Sequence, residues 1–155
     1  MDVNTIIRLF LLLVFCVITS VIDIKTKIIP NKLIIIMLIS WVIIMLPMFI
    51  IDPMSAISLI RDGVLGAALG GGMFLLVYLI SKKGLGGGDV KFMAVSGLYL
   101  GFYLVVPAIF YSSILAALFA LILIVKKKIT RKDTLPLAPF ICIGTFFTVL
   151  LHNIT

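Results

Sequence analysis

Apolar stretches long enough to cross a bilayer follow one another along almost the whole chain, with only short polar turns between them. The separable runs extend from about Thr5 to Ile22, Leu33 to Ile51, Val64 to Ile80, Val90 to about Val105, Ala108 to Val125 and Leu135 to Leu151. A segment surrounded by lipid has no water to satisfy its backbone, so each run must close its own hydrogen bonds as a helix. A crossing takes about 20 residues, so 155 residues leave room for about five or six spans and almost nothing else. The pattern predicts an all-α polytopic membrane protein, a six-transmembrane-helix bundle with short loops that forms a single domain over residues 1–155. A composition 63% hydrophobic and 12% charged agrees, since soluble domains carry roughly 25% charged residues. The first run ends in Asp23-Ile24-Lys25 without a small-residue cleavage site, and so reads as a retained helix rather than a signal peptide.

A net charge of +7 would suggest nucleic acid in a soluble protein. Here eleven of the thirteen basic residues fall in alternate turns: Lys25, Lys27 and Lys32; Lys82, Lys83 and Lys91; Lys126, Lys127, Lys128, Arg131 and Lys132. Such clustering sets topology. The expected environment is membrane lipid, with no nucleic-acid partner. The basic turns are expected to face the cytoplasm, with both termini outside and Asp23 and Asp89 on the cytoplasmic side. The 36 residues from Val90 to Val125 are too many for one span and slightly few for two, and Gly101 and Pro107 bracket the expected turn. A short fourth helix would suit a site that opens near the membrane surface. In the third run, Gly66 to Gly72 repeats small residues four apart, the pattern that lets helices approach closely. Arg61 and Asp62 read as an interfacial charge pair ahead of that run, and Tyr99 and Tyr103 as an aromatic belt.

Cys16 and Cys142 both sit in apolar runs, and neither has ligand-spaced partners, so no metal and no cofactor is expected. His152 reads as a solvated terminal residue. All six acidic residues are Asp. Asp2 is terminal, Asp52 lies in an outer Asp-Pro turn and Asp133 sits among basic residues, but Asp23 closes the first apolar run and Asp89 ends the turn Gly84-Leu85-Gly86-Gly87-Gly88-Asp89. A carboxylate at the edge of a bilayer is a functional candidate by default. The glycine turn lacks the Lys-Ser or Lys-Thr of a phosphate loop and delivers a negative charge instead, which argues against nucleotide.

Two carboxylates can hydrolyse a peptide bond when one takes a proton from water and the other donates to the carbonyl oxygen. At a separation of about 4 Å and an effective dielectric of about 20 they repel by about 4 kcal/mol, so one proton is held between them. An anion is disfavoured after a helix C-terminus and favoured before an N-terminus, which assigns the resting proton to Asp23. Spacing alone does not bring the two together, because they are 66 residues apart.

Resemblance supplies that link. Gly86, Gly87, Gly88 and Asp89, with Lys91 two positions on, are similar to the GxGD signature of the type IV prepilin peptidases. Asp23 through Pro30-Asn31 resembles the family's first motif, an Asp at a cytoplasmic helix end followed by a basic turn and Ile-Pro-Asn. Leu135-Pro136-Leu137-Ala138-Pro139-Phe140 resembles the Pro-x-x-Pro entry to its last helix. The three motifs together cover essentially the full chain. The resemblance implies a six-helix intramembrane aspartic endopeptidase, distantly akin to preflagellin peptidases and presenilin-type proteases, with Asp23 and Asp89 catalytic. Its substrates would be prepilins or pseudopilins, cut after a Gly just before their hydrophobic helix. Gly86, Gly87, Gly88, Lys91, Pro136 and Pro139 are the candidates for binding substrate or shaping the site. The chain has no long insertion after the first run and no four-cysteine motif, which implies a peptidase without the N-methyltransferase activity of the larger members.

Two other readings compete. A small proton-coupled transporter would use the two Asp as a relay, but its acids would be expected near the bilayer midplane rather than beside basic turns. A non-catalytic pilus-assembly subunit would use the glycines for packing alone and would tolerate Asn at both positions.

Overall fold

The computed structural model describes residues 3–81, 85–126 and 135–154. Lys82, Lys83, Gly84, Lys127, Lys128, Arg131, Lys132 and Asp133, on which part of the charge reading rests, lie outside those residues, as does Asp2. The described residues are all helical or in turns, in the order α1 (Val3–Thr26), α2 (Asn31–Ile51), α3 (Pro53–Ile80), α4 (Gly87–Val125) and α5 (Ala138–Ile154). The first four helices are long and apolar enough to cross a membrane, and α5 is a shorter apolar helix. Large side chains point outward all round, Ile50 and Ile80 among them. A surface so continuously apolar is matched to lipid rather than water. The chain is a multi-pass membrane protein.

Five helical elements stand where six were expected, because the fourth and fifth runs form one element. Its 39 residues would reach nearly 60 Å if straight, about twice a hydrocarbon core, but it is broken at Gly101, whose φ of 75° and ψ of 177° are not helical. A residue with a Cβ resists that φ. The break lies at Gly101 alone; Pro107, expected at the other end of a turn, continues inside the helix.

The break is held by Asp62, whose Oδ1 accepts the Phe102 N–H at 3.1 Å. Asp62 therefore caps the second half of α4 from a neighbouring helix, satisfying a donor that the break would orphan. This overturns the interfacial-pair reading of Arg61 and Asp62, because α3 begins eleven residues before Val64, at Pro53. Asp52 starts it: the Ser55 amide donates to its Oδ1 at 3.2 Å, and Pro53 takes a first-turn position where no N–H is needed. The Ser55 hydroxyl and amide hold the Asp52 carboxyl below the usual carboxylate range. Arg8, buried on α1, lies within electrostatic reach of Asp62. Asp62→Ala is expected to destabilise the protein by about 1–2 kcal/mol through the unpartnered Phe102 amide. Asp62→Asn, which keeps the acceptor, should recover much of that loss in thermal unfolding of the detergent-solubilised protein.

Helices α3 and α4 make the closest approach. Gly63, Gly66 and Gly70, at spacings of three and four, share a face of α3. A Cβ on Gly66 would strike the Gly97 carbonyl and come within 2.7 Å of Gly101 C, and one on Gly97 would strike Gly66 in return. The expected close packing is thus located: α3 against the first half of α4. Tyr99 is a correction. It is fully buried rather than in an aromatic belt, donates to the Met37 carbonyl at 2.7 Å and meets the Ser40 hydroxyl. Trp41 donates to the Leu98 carbonyl at 3.0 Å, so two polar-tipped aromatics tie α2 to α4. Tyr103, by contrast, is 82% exposed.

Candidate active site

Asp23 lies in the last turn of α1, inside the helix rather than after it, since α1 runs on to Thr26. The helix stops because Lys27 adopts φ 53°, a left-handed terminator, while its N–H still bonds the Asp23 carbonyl at 2.8 Å. Pro30 then prevents the chain from resuming before α2. The Asp23 side chain is only 4% exposed, and its Oδ2 accepts the Ala138 N–H at 3.1 Å. Ala138 opens α5. The Leu137 carbonyl accepts from Phe140 and Ile141, so the Ala138 amide is one of the donors a helix start leaves unpaired, and a carboxylate suits it by charge. Pro139, at the next position, has no N–H to satisfy.

Asp89 occupies the first turn of α4, three residues after the capping position Gly86. The two exchange hydrogen bonds: Asp89 N–H donates to the Gly86 carbonyl at 3.1 Å, and Gly86 N–H donates to Asp89 Oδ2 at 3.2 Å. A Cβ on Gly86 would lie 2.9 Å from that same Oδ2, and one on Gly88 would lie 3.0 Å from Ile29 Cβ. These two glycines therefore let the turn close on Asp89 and on the α1–α2 connection. A Cβ on Gly87 would meet nothing within 4 Å among the described residues. Asp89 is 8% exposed, and its Oδ1 is buried without a hydrogen-bond partner among the described residues.

Both carboxylates line one cavity of about 170 Å³, walled also by Gly86, Gly87, Gly88, Lys27, Ile28 and Ile29. The 66-residue gap is thus closed by the fold, and the two acids interact electrostatically. The other candidates lie outside the cavity wall. Lys91 reaches across to Asn31 Oδ1 at 3.0 Å, not to Asp89, so it links the starts of α4 and α2. Pro136 and Pro139 flank Leu137 and Ala138, whose amide donates to Asp23.

Sequence reasoning missed the Ala138 amide, because a backbone donor carries no signature of its own, although the Pro-x-x-Pro segment marks the place. It also missed Ile29, whose packing on Gly88 explains one glycine of the turn. Among the described residues, no three His, Cys, Asp or Glu side chains are grouped to hold a metal. Cys16 and Cys142 are free thiols that touch across α1 and α5.

A pair of buried carboxylates on one small cavity, one held by an amide and the other with an unpartnered oxygen, is suited to activating a water against a polarised carbonyl. Comparison with known proteins points the same way. The chain matches the type IV leader peptidase family over residues 10–121, which include both carboxylates. It is 31% identical over 140 residues to the prepilin leader peptidase/N-methyltransferase of Bacillus subtilis (strain 168), an alignment covering 86% of this chain and 51% of that protein. The chain therefore spans about half the length of this curated relative. No solved structure matches.

Proposed function

Because the chain belongs to the type IV leader peptidase family, we propose that it is an aspartic endopeptidase that removes the leader from prepilin or pseudopilin precursors, with Asp23 and Asp89 activating water. The observation that carries this reading is the single cavity lined by both carboxylates. The whole chain acts as one peptidase domain. A substrate peptide enters extended, its scissile carbonyl between the two acids; one carboxylate takes the proton of the attacking water while the other protonates the carbonyl oxygen, giving the tetrahedral intermediate. Return of the proton to the leaving nitrogen then breaks the C–N bond.

The resting proton belongs on Asp89 rather than Asp23. Asp23 accepts an amide at a helix start, whereas Asp89 Oδ1 is buried without a donor among the described residues, and an unpartnered buried oxygen is better served as a hydroxyl than as an anion. The rate of leader removal should rise with pH as the first carboxylate of the pair ionises and fall as the second does. A profile of kcat/KM with a single ionisation would refute the coupled pair.

In the membrane, α4 forms two spans divided at Gly101, giving six crossings, with both termini outside and the two Asp at the cytoplasmic face. The first half of α4, residues 87–100, is then a short span of about 20 Å. Asp89 at its start is correspondingly recessed, and the cavity lies where a leader at the membrane face meets its apolar helix. Helices α1 and α2 are joined by four residues, 27–30, too short to hold a further catalytic unit. Incubation with a methyl donor and a cleaved pilin is expected to leave the new N-terminus unmethylated, checked by intact mass.

A further inference from the structure

The chain has two cysteines, Cys16 and Cys142, and the fold brings them together from opposite ends of the sequence. Cys16 lies on α1, fully buried, two helical turns before Asp23. Cys142 lies on α5, about one turn after Ala138, and is partly exposed. The two thiols are within hydrogen-bonding contact of each other. The Ser20 hydroxyl, which donates to the Cys16 carbonyl at 2.7 Å, touches Cys142 as well, so Cys142 is seated over a single turn of α1. The helices joined by this contact are the same two that the Asp23–Ala138 hydrogen bond joins, and α1 packs chiefly against α5.

We propose that Cys16 and Cys142 form a reversible disulfide that staples α1 to α5 beneath the carboxylates and holds the peptidase closed. Two S–H bonds break and one S–S bond forms; the two protons and two electrons pass to a lipid-soluble quinone, which leaves as the quinol. An apolar oxidant suits a thiol pair set among apolar helices, and the partly exposed Cys142 is the sulfur it reaches first. A reducing cytoplasm keeps such a pair as thiols, and a disulfide formed against that poise serves as a sensor rather than a strut. The consequence for activity rests on the peptidase reading. The cavity lined by Asp23 and Asp89 is about 170 Å³, room for a few water molecules and not for an extended peptide, so a substrate must part the helices around it. A bond of about 2 Å in place of a thiol contact draws α1 and α5 together and opposes that parting at the helix that carries Asp23.

The test treats the full-length protein in membranes with duroquinone, whose fully substituted ring accepts electrons but forms no thiol adduct. After denaturation, the wild type is expected to have lost both maleimide-reactive thiols and the mass of two hydrogen atoms, with the linkage found within one chain by peptide mapping and reversed by dithiothreitol. Cys142→Ala should keep its remaining thiol. Thiols that stay reactive in the oxidised wild type, or a linkage between two chains instead of within one, would overturn the site. In parallel, oxidation should slow cleavage of a prepilin-like precursor by the wild type at least about tenfold, with recovery on reduction and no such change in Cys142→Ala; if that variant does not insert, recovery of the wild type on reduction decides. A disulfide that forms without slowing cleavage would overturn the closure. Reduced wild type that cuts nothing would overturn the peptidase reading, while the mass and thiol results still decide the disulfide.

Discussion

Asp23→Asn and Asp89→Asn are each expected to lower the rate of leader removal by at least about 1,000-fold, while the protein inserts and folds as before. The argument for retained folding is local. Each Asn keeps a carbonyl oxygen, so Ala138 N–H can still donate to residue 23 and Gly86 N–H to residue 89. What the amide lacks is the ability to take or give a proton. The double variant should be little worse than either single one, because two groups that act as a unit lose their function together. Lys91→Met offers a contrast: its ammonium is exposed and paired with Asn31 rather than with the dyad, so the effect on rate should be far smaller. Rates measured on purified protein of matched thermal stability check all four. A single variant that keeps more than a tenth of wild-type activity would remove its Asp from the mechanism.

The largest effect on stability is expected at the α3–α4 contact. Gly66→Val and Gly97→Val should each destabilise the protein by at least about 3 kcal/mol, enough to prevent accumulation of folded protein. At both positions the added carbon meets backbone rather than a side chain that can turn aside. Separation of the helices to relieve the clash would also pull the Trp41 and Tyr99 bonds between α2 and α4. Gly72→Ala is the control on the same helix. A Cβ there meets nothing within 4 Å, so alanine should be neutral or slightly stabilising through its helix propensity. Thermal unfolding in detergent separates these outcomes, and equal loss at Gly66 and Gly72 would contradict the packing account.

The apolar runs announced the helices because lipid forces any such run to satisfy its own backbone. Their ends were less legible. Arg61 and Asp62 looked like the edge of a span, yet α3 begins at the Asp52-Pro53 cap, since charge at a helix flank does not stop backbone hydrogen bonding. Asp62 in turn proved to be the partner of a helix break forty residues away, a relation with no local trace. For the same reason Tyr99 was assigned to an interface when its hydroxyl is spent in the core.

At the site, the two Asp stood out by their position at the ends of apolar runs. Their meeting did not, because it depends on Ile29 seating Gly88 and on α5 offering an amide to Asp23. Gly86 and Gly88 have steric reasons visible only in three dimensions, whereas Gly87 has none among its neighbours. The prolines at 136 and 139 marked the segment that supplies this donor to Asp23.

The most direct test is to co-express the wild-type chain with a prepilin-like precursor and determine the product's new N-terminus by mass spectrometry. The account predicts one cut, on the leader side of the hydrophobic helix, absent when Asp23 and Asp89 are both Asn. An uncut precursor beside correctly inserted wild-type protein, or a cut that persists in the double variant, would contradict it.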